Sequence, residues 1–169
     1  IEISPVEIKE NTRENFMVNE TASDKQYRFV MPGPELKESE WNEIINRVEE
    51  LKDKPDYLVA SGSLPKGAPE NFYGRLAGCC KRKEIKIILD TSGEPLKQAF
   101  EEGVFLIKPN MAEMNNLLGE EINNENVLAE KVQKYIQKTG TENVVLSLGS
   151  GGAIFITNEN YKSLRALKV

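Results

Sequence analysis

Two short strand-like runs open the hydrophobic pattern, Phe16-Met17-Val18-Asn19-Glu20 and Gln26-Tyr27-Arg28-Phe29-Val30. The polar stretch Thr21-Ala22-Ser23-Asp24-Lys25 between them is turn-like, which predicts a β-hairpin. A hairpin of that size cannot bury both faces alone, so it must fold over a larger body or pair with another chain. Pro32-Gly33-Pro34 then breaks the pattern. The chain is therefore expected to divide into a hairpin segment over residues 1–34 and an α/β body over residues 35–169.

Within that body, helical and strand periods alternate. Trp41, Ile44, Ile45, Val48 and Leu51 recur at helical spacing, with Ser39 a candidate N-cap. Tyr57-Leu58-Val59-Ala60 is a short apolar strand running into a Gly/Ser/Pro loop. A helix is expected over residues 71–83, a strand over Ile85-Lys86-Ile87-Ile88-Leu89, and a helix over residues 94–101. The strand Val104-Phe105-Leu106-Ile107 comes next. Met111, Met114, Leu117 and Leu118 mark a helix closed by Gly119, and Val127, Leu128, Val132, Tyr135 and Ile136 mark another. Asn143 to Leu148 reads as a strand, with Ala153-Ile154-Phe155-Ile156 as its antiparallel partner. Apolar strands in a βαβα rhythm predict a largely parallel sheet with helices on both faces.

Composition narrows the function classes. A length of 169 residues suits one domain with a real core. The net charge is −5 and no basic block or Arg-rich stripe occurs, which argues against nucleic acid as a partner. No apolar run approaches the roughly 18–20 residues that span a bilayer, so no membrane is expected. No signal peptide opens the chain, and Cys79 and Cys80 are adjacent, a poor geometry for a disulfide. Reduced thiols in a cytoplasmic protein are the expectation. The chain has no histidine, which removes Ser-His-Asp and Cys-His catalysis and His-based metal sites. Without an initiator Met, the sequence is expected to be a piece of a longer protein.

The carboxyl ends of parallel strands line one edge of a sheet, where open α/β folds bind ligands. Ser61-Gly62-Ser63, Asp90-Thr91-Ser92-Gly93, Lys108-Pro109-Asn110 and Ser147-Leu148-Gly149 would share that edge. If a helix starts near Asn110, Asn110 and Glu113 fall on one side of its first turn, where anions are favoured. Asn110 would then donate to a phosphate oxygen, and Glu113 would hold Mg²⁺ through water. The same two residues equally form an ordinary capping box, and the two roles are compatible. Ser147 to Gly152 is either a tight hairpin turn or a backbone ledge for a nucleotide. It lacks the Gly-Lys-Ser/Thr ending of a P-loop. Arg13 is either a solvated surface residue or a phosphate grip on a flap. Ser63 either contacts a sugar hydroxyl or stabilises its own turn. Asp90 either caps the following helix or orients water near a metal.

At these residues the sequence resembles the PfkB group of ribokinase-like carbohydrate kinases, most of all its minor (type 2) bacterial 6-phosphofructokinase branch. Thr12-Arg13-Glu14-Asn15, Gln26-Tyr27-Arg28-Phe29-Val30-Met31-Pro32-Gly33, Ser61-Gly62-Ser63-Leu64-Pro65, Asp90-Thr91-Ser92-Gly93-Glu94, Lys108-Pro109-Asn110 with Glu113, and Val145-Leu146-Ser147-Leu148-Gly149 carry it, in order. The resemblance implies an ATP-dependent, Mg²⁺-requiring transfer of the γ-phosphoryl group to fructose 6-phosphate. Another ketose phosphate (tagatose 6-phosphate or fructose 1-phosphate) and a non-catalytic nucleotide-binding relative are the alternatives. Arg13, Glu14 and Asn15 would lie at the sugar phosphate and Ser63 at the sugar. Lys108 and Asn110 would lie near the ATP phosphates, Glu113 at Mg²⁺, and Ser147, Gly149, Ser150, Gly151 and Gly152 along the nucleotide. The hairpin would be a lid that pairs with another subunit's lid in a homodimer. The family's Gly-Gly-Lys-Gly-type motif and its Gly-Ala-Gly-Asp motif, which carries the catalytic base, do not occur here. The base is expected beyond Val169, and residues 1–169 alone are expected to show no measurable turnover, because phosphoryl transfer rests on positioning and electrostatics.

Overall fold

The computed structural model describes residues 3–166, which form two compact units. The first runs to Ile44 and includes Leu64–Ala68. Its hairpin pairs β1 (Asn15–Glu20) with β2 (Lys25–Val30), antiparallel from Asn15↔Val30 to Glu20↔Lys25. The turn uses Asp24 at φ 57°, in the left-handed region that Asp tolerates better than most side chains. Every residue of both strands is exposed, including Phe16, Met17, Val18, Tyr27, Phe29 and Val30. Helix α1 (Glu38–Glu49) begins two residues earlier than a Ser39 cap allows. Glu40 organises its start instead: its carboxylate accepts from the backbone N–H groups of Lys37 (2.7 Å) and Lys9 (2.7 Å). Those bonds hold its pKa below the ordinary carboxylate value, the Lys37 bond being the larger cause.

The second unit holds a six-stranded sheet in the order β3-β4-β5-β6-β7-β8. The strands are β3 (Tyr57–Ser61), β4 (Lys86–Asp90), β5 (Leu106–Ile107), β6 (Asn143–Ser147), β7 (Ala153–Thr157) and β8 (Tyr161–Leu164). β3 to β6 are parallel neighbours; β6-β7 and β7-β8 are antiparallel. The connecting helices are α2 (Phe72–Arg82), α3 (Gly93–Glu102), α4 (Met111–Leu118) and α5 (Glu125–Thr139). β8 is an addition to the expected strands, and β5 is shorter than the expected run from Val104.

Helices do not cover both faces of this sheet among the described residues. Four parallel strands in sequential order, with the right-handed crossovers that such units adopt, put the connecting helices α2 to α5 on the same face. Ile87, Leu89, Ile107, Val144, Leu146, Ile154 and Ile156 are buried beneath them. On the opposite face Tyr57 is 50% exposed and Val59 69%. The apolar character of both strand faces suggested double cover, but the strand order decides which face receives it.

The helix-side core is dense. Phe100 of α3 is fully buried and stacks on Tyr135 of α5, ring centroids 5.3 Å apart. Thr141, 2% exposed, ties α3 to the chain entering β5: its hydroxyl donates to the Phe100 carbonyl (3.1 Å) and accepts from the Val104 N–H (3.3 Å). Thr141→Val keeps the shape but strands both backbone groups, so it is expected to cost about 1–3 kcal/mol in urea unfolding. Cys79 and Cys80 are both free and fully buried in α2, and burial pushes the Cys80 thiol up to about 11. It is therefore a neutral packing group near pH 7.

Candidate functional site

Hydrogen bonds stitch the carboxyl ends of the four parallel strands together in sequence. After β3, the Gly62 N–H donates to the Asp90 carbonyl at the end of β4 (2.9 Å). The Gly62 carbonyl accepts from both the Tyr73 hydroxyl (2.8 Å) and the Thr91 hydroxyl (2.9 Å). Gly62 sits at φ 110°, a conformation that side chains rarely adopt, so a glycine is required where this loop turns. Ser63 follows directly. Burial raises the Tyr73 pKa, which keeps its hydroxyl a donor.

Lys108, just past β5, lies beside Asp90. Its backbone N–H donates to the Leu89 carbonyl (3.2 Å), and its Nζ reaches Asp90 Oδ2 at 3.2 Å. Asp90 thus does not cap α3; it is still the last residue of β4, and extended Ser92 stands at the N-cap position. Pro109 next links β5 to β6: its carbonyl accepts from the Ser147 N–H (2.9 Å) and from the Ser147 hydroxyl (3.2 Å).

Asn110 and Glu113 form a complete capping box at the start of α4. Asn110 Oδ1 accepts from the Glu113 N–H (2.9 Å), and Glu113 Oε2 accepts from the Asn110 N–H (2.9 Å). This fixes one carboxylate at a helix N-terminus that opens on the same sheet edge. A hollow of about 510 Å³ lies alongside, bounded by Ser92, Gly93, Lys97, Glu113, Asn116 and Leu117. Lys97 was not singled out from the sequence; only its place on the face of α3 beside this hollow draws notice to it.

Among the described residues no cluster of three or more His, Cys, Asp or Glu could cage a metal. One carboxylate with an oxygen committed to a backbone N–H suits a different donor set. Mg²⁺ keeps several waters and takes one or two carboxylates plus substrate phosphates, and Glu113 fits that role.

The turn from β6 to β7 is a single turn of 3₁₀ helix, Gly149–Gly151. Its N–H groups at Leu148, Gly151 and Gly152 are spent internally, on the carbonyls of Gly152, Leu148 and Gly149. A nucleotide resting here would meet carbonyls and the exposed Ser150 rather than those three donors. In the other unit, Arg13 and Glu14 are exposed just before β1, with the Arg13 stem beside Gly33. Asn15 is committed to the hairpin base, where its side-chain oxygen accepts from the Met31 N–H (3.2 Å).

Comparison with known proteins identifies a family. A family model described as pfkB family carbohydrate kinase matches residues 1–168. The ATP-dependent 6-phosphofructokinase isozyme 2 of Mycobacterium tuberculosis is 40% identical over 152 residues, covering 90% of this chain and 44% of that protein. A 1-phosphofructokinase of Borreliella burgdorferi is 32% identical over 155 residues, covering 92% of this chain and 49% of that protein. Among solved structures, the phosphofructokinase-2 of Escherichia coli in complex with fructose-6-phosphate superposes with a TM-score of 0.84 at 34% identity. That match covers 92% of this chain and 51% of that one. The chain spans about half the length of the curated relatives it matches.

Proposed function

Given that this chain belongs to the pfkB family of carbohydrate kinases, we propose that it is part of an ATP-dependent kinase of ketose phosphates, with fructose 6-phosphate as the substrate. The line of four stitched strand ends, which brings Ser63, Lys108, Asn110 and Glu113 to one sheet edge, carries this reading. The relatives are named for different phosphofructoses, so the sugar is the finer part of the proposal.

In the reaction, the bond from the γ-phosphorus to its bridging oxygen breaks and leaves ADP. A bond from the C1 oxygen of the sugar to that phosphorus forms, and the hydroxyl proton leaves to a base. We assign that base to residues outside the present sequence, so no residue here is given the role. Charge accumulates on the phosphoryl oxygens during transfer, and positioned cations and N–H dipoles stabilise it. Lys108 supplies a cation at the end of β5. Asn110 supplies a side-chain amide whose oxygen is already fixed by the Glu113 N–H, which leaves its NH₂ as donor. Glu113 would hold Mg²⁺ through water; the bound ion would neutralise phosphate charge. Arg13 and Glu14 are assigned to the sugar phosphate together with Asn15, and Ser63 to a sugar hydroxyl. Ser147 and the Gly149–Gly152 turn are assigned to the nucleotide.

Residues 1–34 are proposed as a lid segment and residues 35–169 as part of the catalytic body. The exposed apolar side chains of β1 and β2 need cover, and a second copy's hairpin is the proposed occupant, giving a homodimer. Among the described residues no helix is long and apolar enough to cross a membrane.

ADP release by the full-length protein with Mg-ATP tests the reading against fructose 6-phosphate, tagatose 6-phosphate, fructose 1-phosphate and fructose. Preference for the first supports it; preference for another keeps the kinase and changes the sugar. Nucleotide binding without turnover of any of them would favour a non-catalytic relative.

A further inference from the structure

We propose that Asp90 is a positioning residue for Lys108, holding its ammonium at the nucleotide edge of the sheet; this rests on the kinase reading above. The parallel register Leu89↔Ile107 places Asp90 and Lys108 at neighbouring strand ends, and Nζ lies 3.2 Å from Oδ2. The Asp90 backbone is pinned on its β3 side by the Gly62 N–H at 2.9 Å. Thr91, only 7% exposed, ties the next residue to the Gly62 carbonyl at 2.9 Å. The carboxylate therefore projects from a fixed backbone, while the lysine ammonium ends a flexible four-carbon stem.

Both side chains are about half exposed, 45% for Asp90 and 48% for Lys108. Such pairs contribute little to folding. A different consequence is chemical. A lysine whose direction is already set loses less conformational freedom when it meets charge that develops only during transfer. Asp90 caps no helix, so this pairing is the one interaction its side chain is shown to make.

A double-variant cycle in the full-length protein tests the inference. Asp90→Asn is expected to lower kcat about tenfold while the KM for ATP stays within about twofold. In a Lys108→Met background, Asp90→Asn is expected to lower kcat no further. A second readout needs no turnover. Calorimetric affinity for Mg-ADP with fluoroaluminate, a mimic of the phosphoryl group in transfer, is expected to weaken about tenfold in Asp90→Asn. Affinity for Mg-ADP alone stays within about twofold. If the wild type turns over none of the sugars but this affinity pattern holds, the sugar-kinase reading falls and the Asp90–Lys108 assignment stands. Full turnover by the wild type with additive losses in the double variant would overturn the assignment and leave the kinase reading intact. An equal shift in Mg²⁺ dependence with and without Lys108 would also overturn it, since the carboxylate would then act on the metal.

Discussion

Replacing Glu113 with Gln in the full-length protein is expected to lower kcat by about 100-fold and to raise the Mg²⁺ concentration needed for half-maximal rate. The substitution separates the capping role that the structure shows for this side chain from the metal role proposed for it. Glu113 Oε2 accepts from the Asn110 N–H as the return half of a capping box. Gln also serves at that position of the box, so the start of α4 should survive, with a stability change of about 0.3–1 kcal/mol from the lost charge at the helix N-terminus. What Gln cannot supply is the negative charge for a hydrated Mg²⁺. A large loss of rate with an almost unchanged unfolding midpoint therefore assigns Glu113 to the metal. A rate within a few-fold of wild type would make it a cap and nothing more.

Gly152→Ala is expected to destabilise the protein by on the order of 3 kcal/mol, read as a shift in denaturant midpoint at unchanged slope. Two effects combine there. Gly152 has φ 105°, where an L side chain is strained, and its Cβ would stand 2.0 Å from the Leu164 carbonyl oxygen and 2.7 Å from the Ala166 nitrogen. Both are backbone atoms at the end of β8, so no flexible side chain can swing away. Gly149→Ala is the control. Gly149 has φ 57° in the same turn, but nothing lies within 4 Å of its Cβ position. Its cost should be only about 1–2 kcal/mol, the ordinary left-handed penalty. Equal losses at the two positions would show that backbone conformation alone matters and that the packing of β8 on the turn does not.

The same turn shows where the sequence ran short. Ser147 to Gly152 was legible as a turn between antiparallel strands, and Ala153-Ile154-Phe155-Ile156 as the returning strand. β8 was not legible, because Tyr161-Lys162-Ser163-Leu164 is half polar and packs as an edge against β7. Its imprint lay in Gly152, whose missing side chain leaves room for the Leu164 carbonyl. β5 was overlong in expectation because Val104 is as apolar as Leu106. In the fold, the Val104 N–H bonds the Thr141 hydroxyl and its carbonyl accepts from the Glu142 N–H (3.0 Å), so it leads into the strand without joining it.

Site residues divided in the same manner. Asn110 and Glu113 were readable, since a capping box is a local, four-residue pattern. The pairing of Asp90 with Lys108 was not, because it depends on which strands lie side by side. Apolar runs declare that a strand is buried but not its neighbour. Likewise Tyr73 lies eleven residues from the Gly62 carbonyl it holds, and no spacing rule joins an α2 side chain to a loop after β3. The one-sided helix cover among the described residues has the same origin: periodicity gave apolar residues on both sides of β3 and β4, while the sequential strand order put the connecting helices on one.

Phosphorus NMR of a reaction between the full-length protein, Mg-ATP and fructose 6-phosphate tests the central claim most directly. The account predicts that the ATP γ-phosphate signal declines while ADP and a second sugar phosphate ester, on C1, grow in equal amount. ATP and sugar left unchanged at saturating protein, or a γ-phosphate appearing only as inorganic phosphate, would contradict it.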